Sequence, residues 1–402
     1  MRPSGWLRTF QAARFGGFGS CGWSLPWTRH CGATCSGGSM REPDHQKENP
    51  DSLAGEIGVE GIEALPKRVE RYGKARKSAL DVAEYMQGLP GQQAKDVSQR
   101  VMACGDYLLF RHFFTVDKVK LHAAQFCKAH LLCPLCAIRR GAKALAAYLE
   151  RWEAIRLQRP TLRPFLVTLT VKDGPDLAER FAHLHKAQRE LWKRKHRIYE
   201  SSLDGVEGAV WSYEIKRGQG SGLWHPHLHM IALAEVEPDP EMLSREWHEI
   251  TGDSFIVDVR PISQDDPVSG FIEVFKYAVK FSDQEPADTV HAWTQLKGKR
   301  LLASSGCFRG VDIPEELTDD ASDVVGLPFM DMLYRYTRAG YSLQLVTPGQ
   351  DAPSEARKAP KKGREGYPLT DYRRGLYETF RRVYLERLDQ RGIVPGPKLI
   401  PP

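Results

Sequence analysis

Short apolar and alternating runs in the middle of the chain set the first structural expectations. "FLVTLTV" (165–171) is apolar and β-branched, which predicts a central strand ended by Asp173 to Pro175. "AVWSYEIKR" (209–217) and "LWHPHLHMIALAE" (223–235) flank "GQGSG" (218–222), the pattern of a hairpin whose turn centres near Gly220. "FIVDVRPI" (255–262) reads as a fourth strand. Apolar residues at helical spacing predict helices over about 176–200, 239–251 and 268–282. The resulting order, β-α-β-β-α-β-α, is the split βαβ pattern. It predicts an α+β, ferredoxin-like fold with a largely antiparallel sheet and helices on one face.

The flanks are mostly helical in pattern. Residues 66–104 read as helix broken by Gly-Leu-Pro-Gly at 88–91, and 139–157 as helix with Leu145, Leu149, Trp152 and Ile155 on one face. Residues 291–310 fit a helix and a strand packed on the core, and 369–392 a charged terminal helix capped at Thr370 and ending at Gly392. The expected division is a leader and linker (1–65), a helical and cysteine module (66–158), a catalytic domain (159–345), a linker (346–368) and a C-terminal helix and tail (369–402). In the first forty residues, four Arg and no acid accompany Cys21, Cys31 and Cys35; this reads as a disordered leader or an upstream start before Met40, ahead of targeting or metal binding.

Charge narrows the partners. A net charge of +6 on 402 residues is modest, so a nucleic-acid surface must come from local clusters. "KAQRELWKRKHRIY" (186–199) is one, and it nominates Lys193, Arg194 and Lys195 as DNA contacts, with Lys276 added from a later helix. No apolar run of about eighteen residues is present, so no membrane span is expected. Eight cysteines are too sparse for a disulfide scaffold, which points to a metal site in a reducing cytoplasm.

On a strand, His225, His227 and His229 share one face, and two imidazoles roughly 6 to 7 Å apart can hold one divalent ion. Tracing the hairpin back brings Glu214 across from them as a third ligand. Such a nitrogen and oxygen set suits Mg2+ or Mn2+ acting as a Lewis acid. Pro226 removes a ladder donor beside His225, which leaves His225 the weakest ligand of the three.

In "FIEVFKYAVKFSD" (271–283), Glu273 and Tyr277 are four residues apart on one helical face, with Lys276 and Lys280 one residue round. Tyr277 is a candidate nucleophile, because a cation-polarised phosphate and nearby ammonium groups stabilise the developing charge. "FCKAHLLCPLCAIRRG" (126–141) supplies Cys127, Cys133 and Cys136, and Cys104 lies upstream; four thiolates match a structural Zn2+ site. His122 and His130 are alternatives to Cys104 as fourth ligand.

Taken in order, "FLVTLTV", "YEIKR", "HPHLHM", "EVFKYAVK" and the cysteine block resemble the HUH endonuclease superfamily, over roughly 100–310. Within it they resemble the rolling-circle replication initiators of small bacterial plasmids, of the single-tyrosine type. The resemblance implies an HUH core with a small zinc module before it, and His227, His229 and Glu214 as metal ligands with His225 accompanying them. It implies Tyr277 as the nicking nucleophile, Glu273 as the base that activates water for the terminating cleavage, and Lys280 as the lysine that follows the tyrosine. Single-stranded or hairpin origin DNA, a host helicase and DNA polymerase are the implied partners, in a bacterial cytoplasm. An HUH transposase or relaxase, or a zinc-dependent DNA-binding protein with an inactive nuclease core, are the alternatives. Tyr277 lying downstream of the histidines disfavours the relaxase. His130 and Phe281 depart from the family pattern, where Arg or Asn and a more polar residue are expected.

Overall fold

The computed structural model describes residues 53, 55–57, 61–197, 201–282 and 284–349. They fall in the compact unit Glu48–Pro402; the unit Met1–Lys47 lies outside the described residues, as do Met40, Cys21, Cys31, Cys35 and the expected terminal helix 369–392.

Five strands form the central sheet: β3 (Arg163–Thr170), β4 (Val206–Arg217), β5 (Trp224–Ala234), β6 (Val257–Pro261) and β7 (Leu302–Gly306). Their order is β6-β3-β5-β4-β7 and every neighbouring pair is antiparallel. β3 and β4 run parallel with β5 between them, which is the split βαβ arrangement expected from the pattern. The hairpin register places Arg217 opposite Trp224, so the turn does centre beside Gly220. β3 pairing stops at His227, so Pro226 falls where β5 has only the β4 side of its ladder, and its missing N–H costs nothing there.

The crossover helices α4 (Leu177–Arg197) and α5 (Pro240–Thr251) pack together against one sheet face. There the α4 rings of Phe181 and Trp192 meet Tyr213 and Trp211 at 5.2 and 5.6 Å. α5 begins at Asp239, whose side chain accepts from the amides of Glu241 and Met242, and ends at Gly252 in the left-handed conformation. Helices cover the opposite face as well, contrary to the one-face expectation. α6 (Pro267–Phe275) and α7 (Tyr277–Ser282) lie over β4 and β5, and behind them runs α3 (Pro134–Gln158). Coverage on both faces explains why nearly every residue of β5 is buried. The helix expected over 268–282 is broken at Lys276 (φ −78°, ψ −2°), between Glu273 and Tyr277. Gly141 of α3 lets that break sit close: a Cβ there would lie 3.0 Å from the Phe275 carbonyl oxygen.

A second sheet, β2-β1-β8-β9, was not legible in the sequence. It joins β1 (Tyr107–Phe113) and β2 (Lys118–Ala124) to β8 (Met330–Thr337) and β9 (Gly340–Pro348). Phe110 and Tyr334 meet edge to face at 5.8 Å in its core. Its strands come from both sides of the expected boundary at 158/159, so the cysteine module is completed by residues assigned to the catalytic domain. The helices α1 (Leu65–Gln87) and α2 (Gln92–Ala103) pack beside it, separated at the expected Gly-Leu-Pro-Gly break.

A buried ionic knot ties these parts together. Arg68 of α1 and Arg139 of α3 each bind both Glu56 and Asp319, at 2.5 to 3.1 Å, and Tyr72 donates to Glu56 at 2.6 Å. Burial pushes the Glu56 and Asp319 carboxyls up, but the arginines outweigh it and hold both below the ordinary range.

Candidate functional site

Strand pairing builds the centre of the site. Glu214 on β4 is directly opposite His227 on β5, and Ser212 is opposite His229. Alternation turns these side chains toward α6 and α7, where Ser212 Oγ donates to the Val274 carbonyl at 2.6 Å. Glu214 Oε1 lies 3.3 Å from His227 Nε2, and Oε2 lies 3.3 Å from His229 Nε2. The three ligand atoms fall within 4.8 Å of one another and all three residues are buried.

Two of those atoms, Glu214 Oε2 and His229 Nε2, are buried 3.3 Å apart, yet neither makes a well-aligned hydrogen bond among the described residues. A buried polar atom left unpaired costs about 1–3 kcal/mol, and here the two face the same point. A divalent cation would satisfy both, and the two-imidazole, one-carboxylate set fits it. Thr168, directly across β3 from His229, has its Oγ1 3.1 Å from His229 Nδ1 and so leaves Nε2 to face inward. Burial raises the Glu214 carboxyl, but the two histidines and Lys280 outweigh it and hold it well below the usual range. Lys280 Nζ is 3.0 Å from Glu214 Oε1.

His225 is not brought into this group. Its ring packs 5.2 Å from that of His227, but its Nδ1 is engaged by Asp173 of the loop after β3, which also accepts from Ser221 Oγ. Thr168 and Asp173 are the residues sequence reading passed over. Asp173 registered only as a strand terminator, and Thr168 is one of two threonines in a strand-forming run.

The segment that carries Glu273 and Tyr277 is only partly assembled around the triad. Glu273 ion-pairs with Lys276 and lines a groove of 430 Å³ with Arg260, Ser263 and Ser269. Lys276, expected to touch DNA, is instead buried; desolvation lowers its pKa despite the partner Glu273. Tyr277 is also buried, which pushes its phenol up to about 12, with Arg140 of α3 pulling the other way. No hydrogen bond joins its hydroxyl to Glu214, His227 or His229 among the described residues.

The basic cluster sits elsewhere. Lys193, Arg194 and Lys195 belong to α4, on the sheet face opposite the triad. Lys193 and Arg194 pair with Glu190 and Glu249, each at 2.9 Å. They do not line the candidate site, because the strand alternation that points the histidines one way leaves α4 on the other side.

The four expected cysteines do converge, and Cys104 rather than His122 or His130 is the fourth member. Cys104 caps the end of α2, Cys133 and Cys136 open α3, and Cys127 comes from the loop after β2. Their sulfurs lie 3.5 to 3.6 Å apart in the three closest pairs. Tetrahedral ligation at 2.3 Å requires about 3.8 Å between sulfurs, so the set fits a structural metal ion. Cys104 and the other two sulfurs hold the Cys127 thiol far below its ordinary range.

A family model described as "Replication protein" matches residues 118–328, just over half of the chain. "Protein rep" of Lactiplantibacillus plantarum is 26% identical over 277 residues, covering 63% of this chain and 84% of that protein. "Protein rep" of Streptococcus pneumoniae is 26% identical over 231 residues, covering 53% of this chain and 70% of that one. A Bacillus "Protein rep" is 28% identical over 137 residues, 33% of this chain and 42% of its own length. No solved structure matches significantly.

Proposed function

The chain belongs to the replication protein family Rep_1, of the HUH class, and from that premise we propose that it starts plasmid rolling-circle replication by nicking one strand at the origin. The observation that carries this reading is the convergence of Glu214, His227 and His229, with two buried ligand atoms that make no well-aligned hydrogen bond among the described residues. These residues would hold Mg2+ or Mn2+, which when bound supplies Lewis-acid polarisation of the scissile phosphate. The chain's own groups do the rest. Thr168 fixes the His229 ring, and Lys280 lies against Glu214, where its ammonium can also face a phosphate oxygen.

Tyr277 is the nucleophile: its phenol oxygen bonds to phosphorus, forming a 5′-phosphotyrosine and releasing a 3′-OH that primes synthesis. The phosphotyrosine stores the phosphodiester energy, so no nucleotide is hydrolysed. A phenol held at about 12 is neutral at physiological pH, so its proton must leave as the bond forms. Glu273, half-exposed in its groove, then serves as base for the water that ends the cycle. The Cys104, Cys127, Cys133 and Cys136 set would hold a structural Zn2+ that fixes α2 to the start of α3.

The test is covalent capture. With Mn2+ and a single-stranded origin oligonucleotide, the protein should form a DNA adduct stable to denaturation, and Tyr277→Phe should form none. An undiminished adduct in that variant removes Tyr277 as nucleophile, and no adduct from the parent protein favours a DNA-binding protein with an inactive core.

A further inference from the structure

A groove of about 550 Å³ runs between α1 and the β8–β9 hairpin, on the second sheet and away from the histidines. Lys74 and Lys77 stand exposed on its helical wall and Arg338 on the hairpin turn. Glu70, paired with Lys74 at 3.1 Å, is the single acidic residue among the described residues that line it, so three cations there face one carboxylate. Its floor carries two half-buried rings, Tyr336 and Tyr341, in edge contact at 5.2 Å. The Arg76 guanidinium lies 5.6 Å from the Tyr336 ring centre, and Tyr341 Oη donates to the Gly105 carbonyl beside Cys104. The floor is therefore held rigid by the cysteine module. Both walls, near residues 66–77 and 334–341, lie outside the span 118–328 matched by the family.

Cations on both rims of a groove with aromatic rings at its base are what single-stranded nucleic acid requires: charge to follow the phosphates and a π-face for a base. A duplex hides its bases from such rings, and a protein partner would not call for a one-sided charge balance. We propose that this groove is a second binding surface for single-stranded DNA, with phosphates on Lys74, Lys77 and Arg338 and a base stacked on Tyr336. It rests on the reading of the chain as a protein that acts on DNA, but it does not depend on the nicking chemistry.

Full-length protein should be titrated with labelled oligothymidine by fluorescence anisotropy over a salt series. Replacing Lys74, Lys77 and Arg338 together by Ala is expected to weaken binding about tenfold or more and to flatten the salt slope by about 2, the value for three lost phosphate contacts on a single strand. Tyr336→Leu is expected to weaken binding at least about fivefold, and Tyr336→Phe to leave it unchanged, because stacking needs the ring and not the hydroxyl. All variants should keep the parent melting temperature, and adduct formation on a short oligonucleotide holding only the nick site should be unaltered. Unchanged affinity and slope in the triple variant would overturn the proposal, as would equal losses for Tyr336→Leu and Tyr336→Phe, or a loss confined to duplex DNA. If the parent forms no adduct while the groove variants still lose oligothymidine, the nicking reading falls and the groove stands.

Discussion

Glu214 and His227 face each other directly across the β4–β5 ladder, with carboxylate Oε1 3.3 Å from imidazole Nε2. Two rungs of one hairpin, separated by the Tyr213–Leu228 pair that faces the other way, thus supply three ligands, and the geometry is fixed by backbone pairing rather than by loops. A site built this way is sensitive to its supports.

Thr168→Val removes the group that orients His229 without altering strand propensity or shape much. Mn2+ affinity, read by isothermal titration calorimetry, should fall about 10- to 100-fold while the circular dichroism spectrum stays the same. Unchanged affinity would mean that packing alone holds the ring.

Glu273→Ala should nick at close to the parent rate and then accumulate the covalent adduct. The relevant measurement is release of the DNA after one round, followed on denaturing gels. Normal release would take the general-base role away from Glu273.

Cys104→Ser should lower the bound zinc measured by atomic absorption and destabilise the protein by about 4 kcal/mol or more, the range associated with loss of a structural metal. Chelation of the parent protein should reproduce the same melting shift. A fully zinc-loaded Cys104→Ser variant would return His122 or His130 to consideration as fourth ligand.

The ionic knot predicts acid sensitivity with a defined sign. Glu56 is held below its ordinary 4.5 in the fold, so the unfolded chain takes up the proton first. Its stabilisation is complete above that value and is lost as pH falls through the lower folded value; Asp319 behaves the same way. Urea midpoints between about pH 3 and 7 should therefore drop on the acid side. Glu56→Gln should flatten that dependence and cost about 3–5 kcal/mol near neutrality, because three arginines lose a buried partner. A parallel pH profile in the variant would contradict this account.

Much of the central sheet was legible because its signals are local. Period-2 and period-3.6 patterns and the Gly-rich turn before Trp224 act within a few residues, and they place the elements in split βαβ order. Glu214, His227 and His229 followed from side-chain alternation plus hairpin register, and Cys127, Cys133 and Cys136 from their spacing, whereas the fold chose Cys104 over His122 and His130. The second sheet is two local hairpins, β1–β2 and β8–β9, but their joining was hidden because it spans more than two hundred residues: Leu108 pairs with Tyr334, and nothing near either residue records the other.

What the sequence by itself determined is therefore the elements of the central sheet, their order and the residue types able to hold metal, since each depends on neighbours along the chain. Only the tertiary structure decided that Asp173 engages His225 and that helices cover both sheet faces. It also decided that Lys193, Arg194 and Lys195 lie behind the sheet and that Tyr277 is buried beside α3. Facing and burial depend on what packs against an element from elsewhere in the chain, and that information exists only once the chain has folded.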